Sequence, residues 1–549
     1  MGGSTATSGG VTWIPANGQA TALGHPDTPE QAMLYLAQTV GTATPAALQE
    51  RFARSAARMQ DYLARHGLLQ LAARAHAPDY YPDLPGATLG GRAMDPVVFD
   101  GRLLGPHFSQ LRDPLRPFMV LGGMMVNTAD AKHLLAVTRS FASWRHGMRL
   151  VARYAMDRLR GYHRGTRLVL GNALAGQLFH GVLRRGIPYW LGAGVTQIHT
   201  EAGAVQGVRV VRDGVVNEVR ARRGVVVATG GFPWHAAMRT QLFPQPTGDW
   251  SAAPRDNRGE GIALARQAGG VLGQGAAGPA LWAPVSILRR PDGETVRYPH
   301  LVWDRAKPGL MAVNSAGRRF VNESTTYHEF VLAMQRSHAQ VPSIPAYLVC
   351  DADFMHKWGL GLALPGGRAR QHLIDADYLV QADSLEGLAQ ALQIDAQGLK
   401  ASAAQFNEAA QTGTDTAFGK GSNAYHQHLG DPAHNGPNPC LGPLLRAPFF
   451  AVAVYAGDIG TAIGIQCDEN SQALDASGAP IPGLYAAGND MHSVMGGRYP
   501  SAGITLGPAL TFGWLAGQHL ARQPERAART AAAQAPSPTP SPTSTTAMV

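Results

Sequence analysis

The sequence predicts an α/β chain in which an α+β segment is inserted between two parts of one domain. Three observations carry this. At 549 residues the chain is too long for one compact core. A β-branched run that ends in a glycine turn, VVVATGG (225–231), is followed by the helical EGIALARQAG, and a strand-turn-helix order returns late in PGLYAAGN and a helix starting near Thr505. Between them, over 275–445, lie short strands, a hairpin signal at NSAGRRF and helices near 385–412. Residues 1–274 and 446–521 are therefore read as one domain, 275–445 as the insertion and 522–549 as a tail.

The chain opens on GGSTATSGG, crowded with small residues. From Pro29 to about Ala75 apolar residues recur three and four apart, so amphipathic helices are expected. HAPDYYPDLPGATLGGR then reads as a loop. Helix returns over 128–160 and 168–184. Strands follow over 188–230, with RDG (212–214) as a hairpin turn and VVV as a fully buried strand. FFAVAVYAG and PGLYAAGN are late strands. After 522 the composition turns to Pro, Ser, Thr and Ala, which predicts disorder.

The chain is 45% hydrophobic and 15% charged, with a net charge of +9 from scattered arginines and no basic block interleaved with aromatics. That argues against nucleic acid as a partner. No apolar run reaches the roughly 18 residues of a membrane span, the longest candidate being PFMVLGGMMV (117–126). No secretory signal is visible, so a cytoplasmic location is expected. Cys350, Cys440 and Cys467 are widely spaced and read as ordinary buried thiols.

Two motifs are set aside. GQGAAG (273–278) matches a dinucleotide-binding pattern, but a helix precedes it where a strand is required and prolines follow it, so it reads as a connector. Tyr425-His426-Gln427-His428, with His434, lacks a carboxylate or cysteine to complete a metal set and reads as a solvated loop; no metal is expected. More informative is PGLYAAGNDMHSVMGGRYPSAGITLGPALTFGWLAG (482–517). A strand ends in Gly488-Asn489-Asp490, and a glycine-rich loop leads to a helix whose first turn is small, an open N terminus for an electron-rich ligand edge.

Taken together, VVVATGGF, GRRFVNESTTYHEF, PGLYAAGND and YPSAGITLGPALTFG resemble the FAD-dependent fumarate reductase/3-ketosteroid dehydrogenase superfamily, and within it the 3-ketosteroid Δ1-dehydrogenase-like branch. GGSTATSGGVTWIPANG, DYYPDLPG, PFMVLGGMMV and GDIGTAIGIQCD extend the likeness to about residue 521. The resemblance implies a Rossmann-like FAD-binding domain and an inserted α+β substrate-capping domain. In the family GGSTA follows a complete strand, glycine turn and helix; here it stands at residue 2, so an N-terminally truncated FAD-binding domain without its first βαβ unit is expected. FAD is the implied cofactor. Its implied contacts are Gly3, Ser4, Thr5, Ser8, Gly9 and Gly10, then Thr229 and Gly230, then Gly488, Asn489, Asp490, Ile504 and Thr505.

The resemblance also implies chemistry. Fumarate reductases carry a proton-delivering arginine four places after the Glu of the first motif and a second arginine in the later loop; here those places hold Tyr327 and Tyr499. In the ketosteroid branch Tyr499 and the Gly503 N–H hold the ketone oxygen, Tyr327 takes the α-proton, and a tyrosine of the DYYP loop, Tyr80 or Tyr81, assists. The implied function is 1,2-desaturation of a 3-ketosteroid or similar cyclic ketone, with hydride passing to the flavin N5 and on to an electron acceptor. A fumarate- or urocanate-type reductase, with Arg498 as anchor, and an FAD-deficient inactive fragment are the alternatives.

Overall fold

The computed structural model describes residues 1–116, 119–274, 277–366 and 370–525. Most of the expected tail, Pro117 and Phe118 of PFMVLGGMMV, and Gly275 and Ala276 within GQGAAG lie outside the described residues.

The helices Pro29–Thr39 and Ala46–Arg65 form as the periodicity requires. The second buries Phe52, Ala53, Ala56 and Met59, one stripe of a 3.6-residue period. That stripe closes on Trp13, whose ring stacks on Phe52 at 5.9 Å between centroids. Beneath it Arg92 pairs with Asp27 at 2.6 Å and Asp79 at 2.9 Å, all three side chains about 1% exposed.

The strand Val225–Val227 pairs in parallel with Pro480–Ala486, which pairs antiparallel with Gln472–Leu474. The expectation of a fully buried first strand is corrected: Val226 is 41% exposed. Its strand is at the edge of this three-stranded sheet, so among the described residues one side has no paired strand. The RDG turn joins Ala204–Arg212 to Val215–Arg220, with Asp213 and Gly214 both at positive φ as a tight hairpin turn requires.

The middle segment carries a six-stranded sheet. Ala280–Arg289 pairs with Thr295–Pro299 on one side and Phe449–Thr461 on the other, and Ala346–Cys350 and Leu310–Val313 follow. Phe449–Thr461 thus belongs to the sheet of the middle segment, beyond residue 445. The helix Tyr327–His338 packs on Ala280–Arg289. The C-terminal helix Leu506–Arg522 returns against Ala46–Arg65 and Pro480–Ala486. All three cysteines are free and buried. Among the described residues no helix is long and apolar enough to cross a membrane.

Candidate active site

Thr326 caps the helix Tyr327–His338, its side chain accepting from the Glu329 N–H at 3.0 Å. This places Tyr327 in the first turn, where the helix dipole favours negative charge. Tyr327 is 5% exposed, and its hydroxyl accepts a hydrogen bond from the Tyr80 hydroxyl at 3.0 Å. The Tyr499 ring stands edge-on to Tyr327 at 5.0 Å and stacks on Tyr80 at 5.7 Å. Three phenols from distant stretches thus meet in one buried cluster. Tyr81 turns away, donating to Glu329 Oε1 at 3.0 Å, so the structure separates the two tyrosines that the DYYP loop left open.

The loop is fixed by polar contacts that no sequence period reveals. Asp79 accepts from Trp13 Nε1 at 2.9 Å, Arg92 at 2.9 Å and the Thr88 N–H at 3.1 Å. The Tyr80 N–H donates to the Pro500 carbonyl at 3.0 Å, and the same carbonyl accepts from the Tyr35 hydroxyl at 2.6 Å. Tyr35 in turn accepts from the Tyr81 N–H at 3.2 Å.

Burial pushes the Tyr327 phenol well above its ordinary range, with Tyr499 and Tyr80 adding to the effect. It pushes Tyr80 and Tyr499 up as well. Below the cluster Arg305 is buried, donating to the carbonyls of Leu301, His300, Glu323 and Thr325 at 2.8, 2.9, 3.0 and 3.1 Å. Arg498 is exposed.

Tyr425 joins the cluster, its ring 4.7 Å from Tyr80. This corrects the solvated-loop reading of 425–428: Ala424–Leu429 is a short helix, with Tyr425 2% and His426 7% exposed. A run of six residues is too short to show a helical period, and that is why its burial was missed.

Gly503 has φ +93°, and a Cβ there would stand 2.6 Å from the backbone of Thr12 and Trp13. Its carbonyl accepts from the Trp13 N–H at 3.1 Å. The N–H groups of Gly503, Ile504 and Thr505 make no hydrogen bond among the described residues, and no side chain caps the helix that follows. Beside them Gly488, Asn489, His492, Thr505 and Ala509 line a cavity. Thr505 Oγ1 is buried there without a partner.

The remaining small-residue loops meet on the other side. Asn257 Nδ2 donates to Ser4 Oγ at 2.6 Å and to the Gly230 carbonyl at 3.1 Å, tying the chain's opening to the turn at 229–231. The Asp490 carboxylate, buried, accepts from the Thr229 N–H, from Thr229 Oγ1 at 2.8 Å and from the Gly231 N–H at 2.9 Å. Thr5 and Ser8 bond to each other, Ser8 Oγ donating to the Thr5 carbonyl at 2.8 Å, and Gly10 donates to Ser8 Oγ at 3.0 Å. Gly3 and Gly9 face open space.

A family model described as an FAD binding domain matches residues 1–506. The chain belongs to that family. This flavoprotein is 35% identical to 4-oxocyclohex-2-ene-1-carboxylate 5-dehydrogenase of Sinomonas cyclohexanicum, over 95% of its own length and 88% of the relative's. It is 36% identical to 3-oxosteroid 1-dehydrogenase of Mycobacterium tuberculosis, over 95% and 92%. Among solved structures, 3-ketosteroid Δ1-dehydrogenase of Sterolibacterium denitrificans in complex with 1,4-androstadiene-3,17-dione superposes with a TM-score of 0.88 at 37% identity, over 94% and 92% of the two chains. The flavoprotein's cofactor is FAD, and the donor set fits it: unbonded N–H groups at a helix N terminus, an orphaned threonine hydroxyl and glycines with open space are what a planar, electron-rich ring needs.

Proposed function

We propose that this FAD-dependent dehydrogenase acting on CH–CH groups introduces a 1,2 double bond beside the carbonyl of a 3-ketosteroid or a similar cyclic ketone. The observation that supports this best is the meeting of Tyr80, Tyr327 and Tyr499, with the Tyr80 hydroxyl donating to Tyr327 at 3.0 Å. When bound, FAD supplies the acceptor for the hydride that leaves the β-carbon, and an external electron acceptor reoxidises it.

The protein's own groups do the rest. Tyr499 Oη and the free Gly503 N–H hold the ketone oxygen as it gains enolate charge. Polarising the carbonyl acidifies the α-carbon, and Tyr327 Oη takes that proton. A buried phenol resists ionisation, so Tyr327 must give up its own proton to solvent before it takes the substrate's: the Tyr80 O–H stabilises the phenolate so formed, and the helix N terminus and the Arg305 cation add favourable potential. The small-residue loops at 3–10, 229–230, 488–490 and 504–505 hold FAD, with Asp490 bracing the 229–231 turn. The segment 275–445, with the strand Phe449–Thr461, caps the substrate. This reading places the enzyme in the cytoplasm.

Reduction of a redox dye by 3-ketosteroids and by 4-oxocyclohexene carboxylates, against reoxidation of reduced dye by fumarate, tests the proposal. Turnover with a cyclic ketone and none with fumarate is expected. Fumarate turnover alone would favour the reductase reading, with Arg498 as anchor. A purified protein that carries no visible flavin absorbance and gains none with added FAD would favour the inactive fragment.

A further inference from the structure

We infer that His492 holds the flavin end of FAD through its imidazole, in the cavity between the 488–490 turn and the helix Leu506–Arg522. The inference rests on the reading that the small-residue loops bind FAD. His492 is 8% exposed, and neither of its ring nitrogens has a hydrogen-bond partner among the described residues. It lines the same cavity as Gly488, Asn489, Ile504 and Thr505. An imidazole with both nitrogens stripped of water and left unpaired weakens a fold, because lost hydration is not replaced. Orphaned groups of this kind are rare in native interiors and call for a partner that completes them.

The ring has a built seat. The His492 N–H donates to the Ile465 carbonyl at 2.8 Å, and the Ile465 N–H donates to the Asp490 carbonyl at 2.6 Å. Asp490 also braces the 229–231 turn, so the imidazole is tied to two of the loops read as holding FAD. Against the ring stands Gly273, the first glycine of GQGAAG, where a Cβ would come within 2.2 Å of the imidazole. The Gly273 N–H donates to the Gly464 carbonyl at 2.9 Å and fixes this close approach. The connector thus has a use: its first glycine leaves room for the ring. Burial lowers the His492 pKa to about 4, so at neutral pH the imidazole is uncharged, one nitrogen a donor and the other an acceptor. That pair suits the flavin end of FAD, whose ring edge carries carbonyl acceptors beside an N–H donor and whose ribityl hydroxyls do both. It does not suit the pyrophosphate, which offers charged acceptors alone. The free N–H groups of Ile504 and Thr505 supply only donors, and His492 brings an acceptor to the same cavity.

FAD titration into the flavin-stripped full chain, read by fluorescence quenching, tests this together with thermal melting of the same samples. His492→Leu should weaken FAD binding about 3- to 10-fold. Without FAD the variant should melt at or above the parent's temperature, because an apolar side chain of similar size replaces two unpaired polar atoms. The rise in melting temperature that saturating FAD brings should be smaller in the variant than in the parent. Equal FAD affinity in the two proteins would overturn the proposal. Thr505→Val then tells the failures apart: if it weakens FAD, the cofactor reading of the cavity stands and only the role of His492 falls; if it does not, both fall. A flavin-free His492→Leu that melts well below the parent would also overturn the proposal, by showing that the imidazole has partners within the protein.

Discussion

Tyr80→Phe removes one oxygen and leaves the ring that stacks on Tyr499 and meets Tyr425. What is lost is the hydrogen bond at 3.0 Å to the Tyr327 hydroxyl. A hydrogen bond to a group that carries charge contributes about 1.5–3 kcal/mol. If Tyr327 must already be a phenolate to take the proton, losing that bond shrinks the reactive fraction and slows the chemical step about 10- to 100-fold, at about 1.4 kcal/mol per factor of ten. The assay is anaerobic stopped-flow reduction of the bound flavin at saturating ketone, which isolates that step. The pH dependence gives a second reading. Burial already raises the Tyr327 pKa, so the rate should climb with pH through the alkaline range as the deprotonated fraction grows. Without the donor the phenolate is less stable, the pKa rises further and the climb moves to higher pH. Tyr81→Phe is the control, because its hydroxyl serves Glu329. Unchanged flavin reduction in Tyr80→Phe, or a larger loss in Tyr81→Phe, would refute the reasoning.

Tyr499→Phe should lower the rate of flavin reduction about 100-fold, the usual loss for one donor to a developing oxyanion, with binding of a non-reacting product steroid much less affected in a fluorescence titration. Gly503→Ala forces a Cβ to 2.6 Å from backbone at a positive φ, so a fall in melting temperature should accompany any loss of activity. Arg319 is the test of acid stability. Although burial alone would raise Glu323 and Asp415, Arg319, at 2.8 Å from both, holds their carboxyls below the usual range. The stability this contributes is present above the ordinary carboxylate pKa and lost as pH falls through the lowered ones. Arg319→Met should cost about 3–5 kcal/mol at neutral pH, read by chemical denaturation, because it takes the cation from buried Asp415 and leaves Glu323 only Lys420, at 3.7 Å.

The helices and hairpins were legible because their periods are local: the 52-53-56-59 stripe and the RDG turn need no knowledge of partners. Tyr327 and Tyr499 were legible through motifs. The choice between Tyr80 and Tyr81 was not, since in a loop the direction of a side chain is decided by Asp79, Arg92 and Tyr35, whose contacts span up to 465 residues of sequence. Val226 was read as buried because an apolar run says nothing about which strand lies at a sheet edge.

The Pro500 carbonyl, accepting from both Tyr35 and Tyr80, joins the loop before Tyr81 to the loop after Tyr499. Under the proposed roles, the base's helper and the ketone's holder are therefore tied together as a single jaw. The opposing jaw is the capped helix that carries Tyr327, seated on the sheet of the inserted segment. A wider or narrower ring would be accommodated by shifting that helix, with the Tyr80–Tyr499 spacing unchanged. Substitutions at Tyr35, by contrast, loosen both functions of the first jaw together, so selection for new substrates should leave it in place and sample the helix and its sheet.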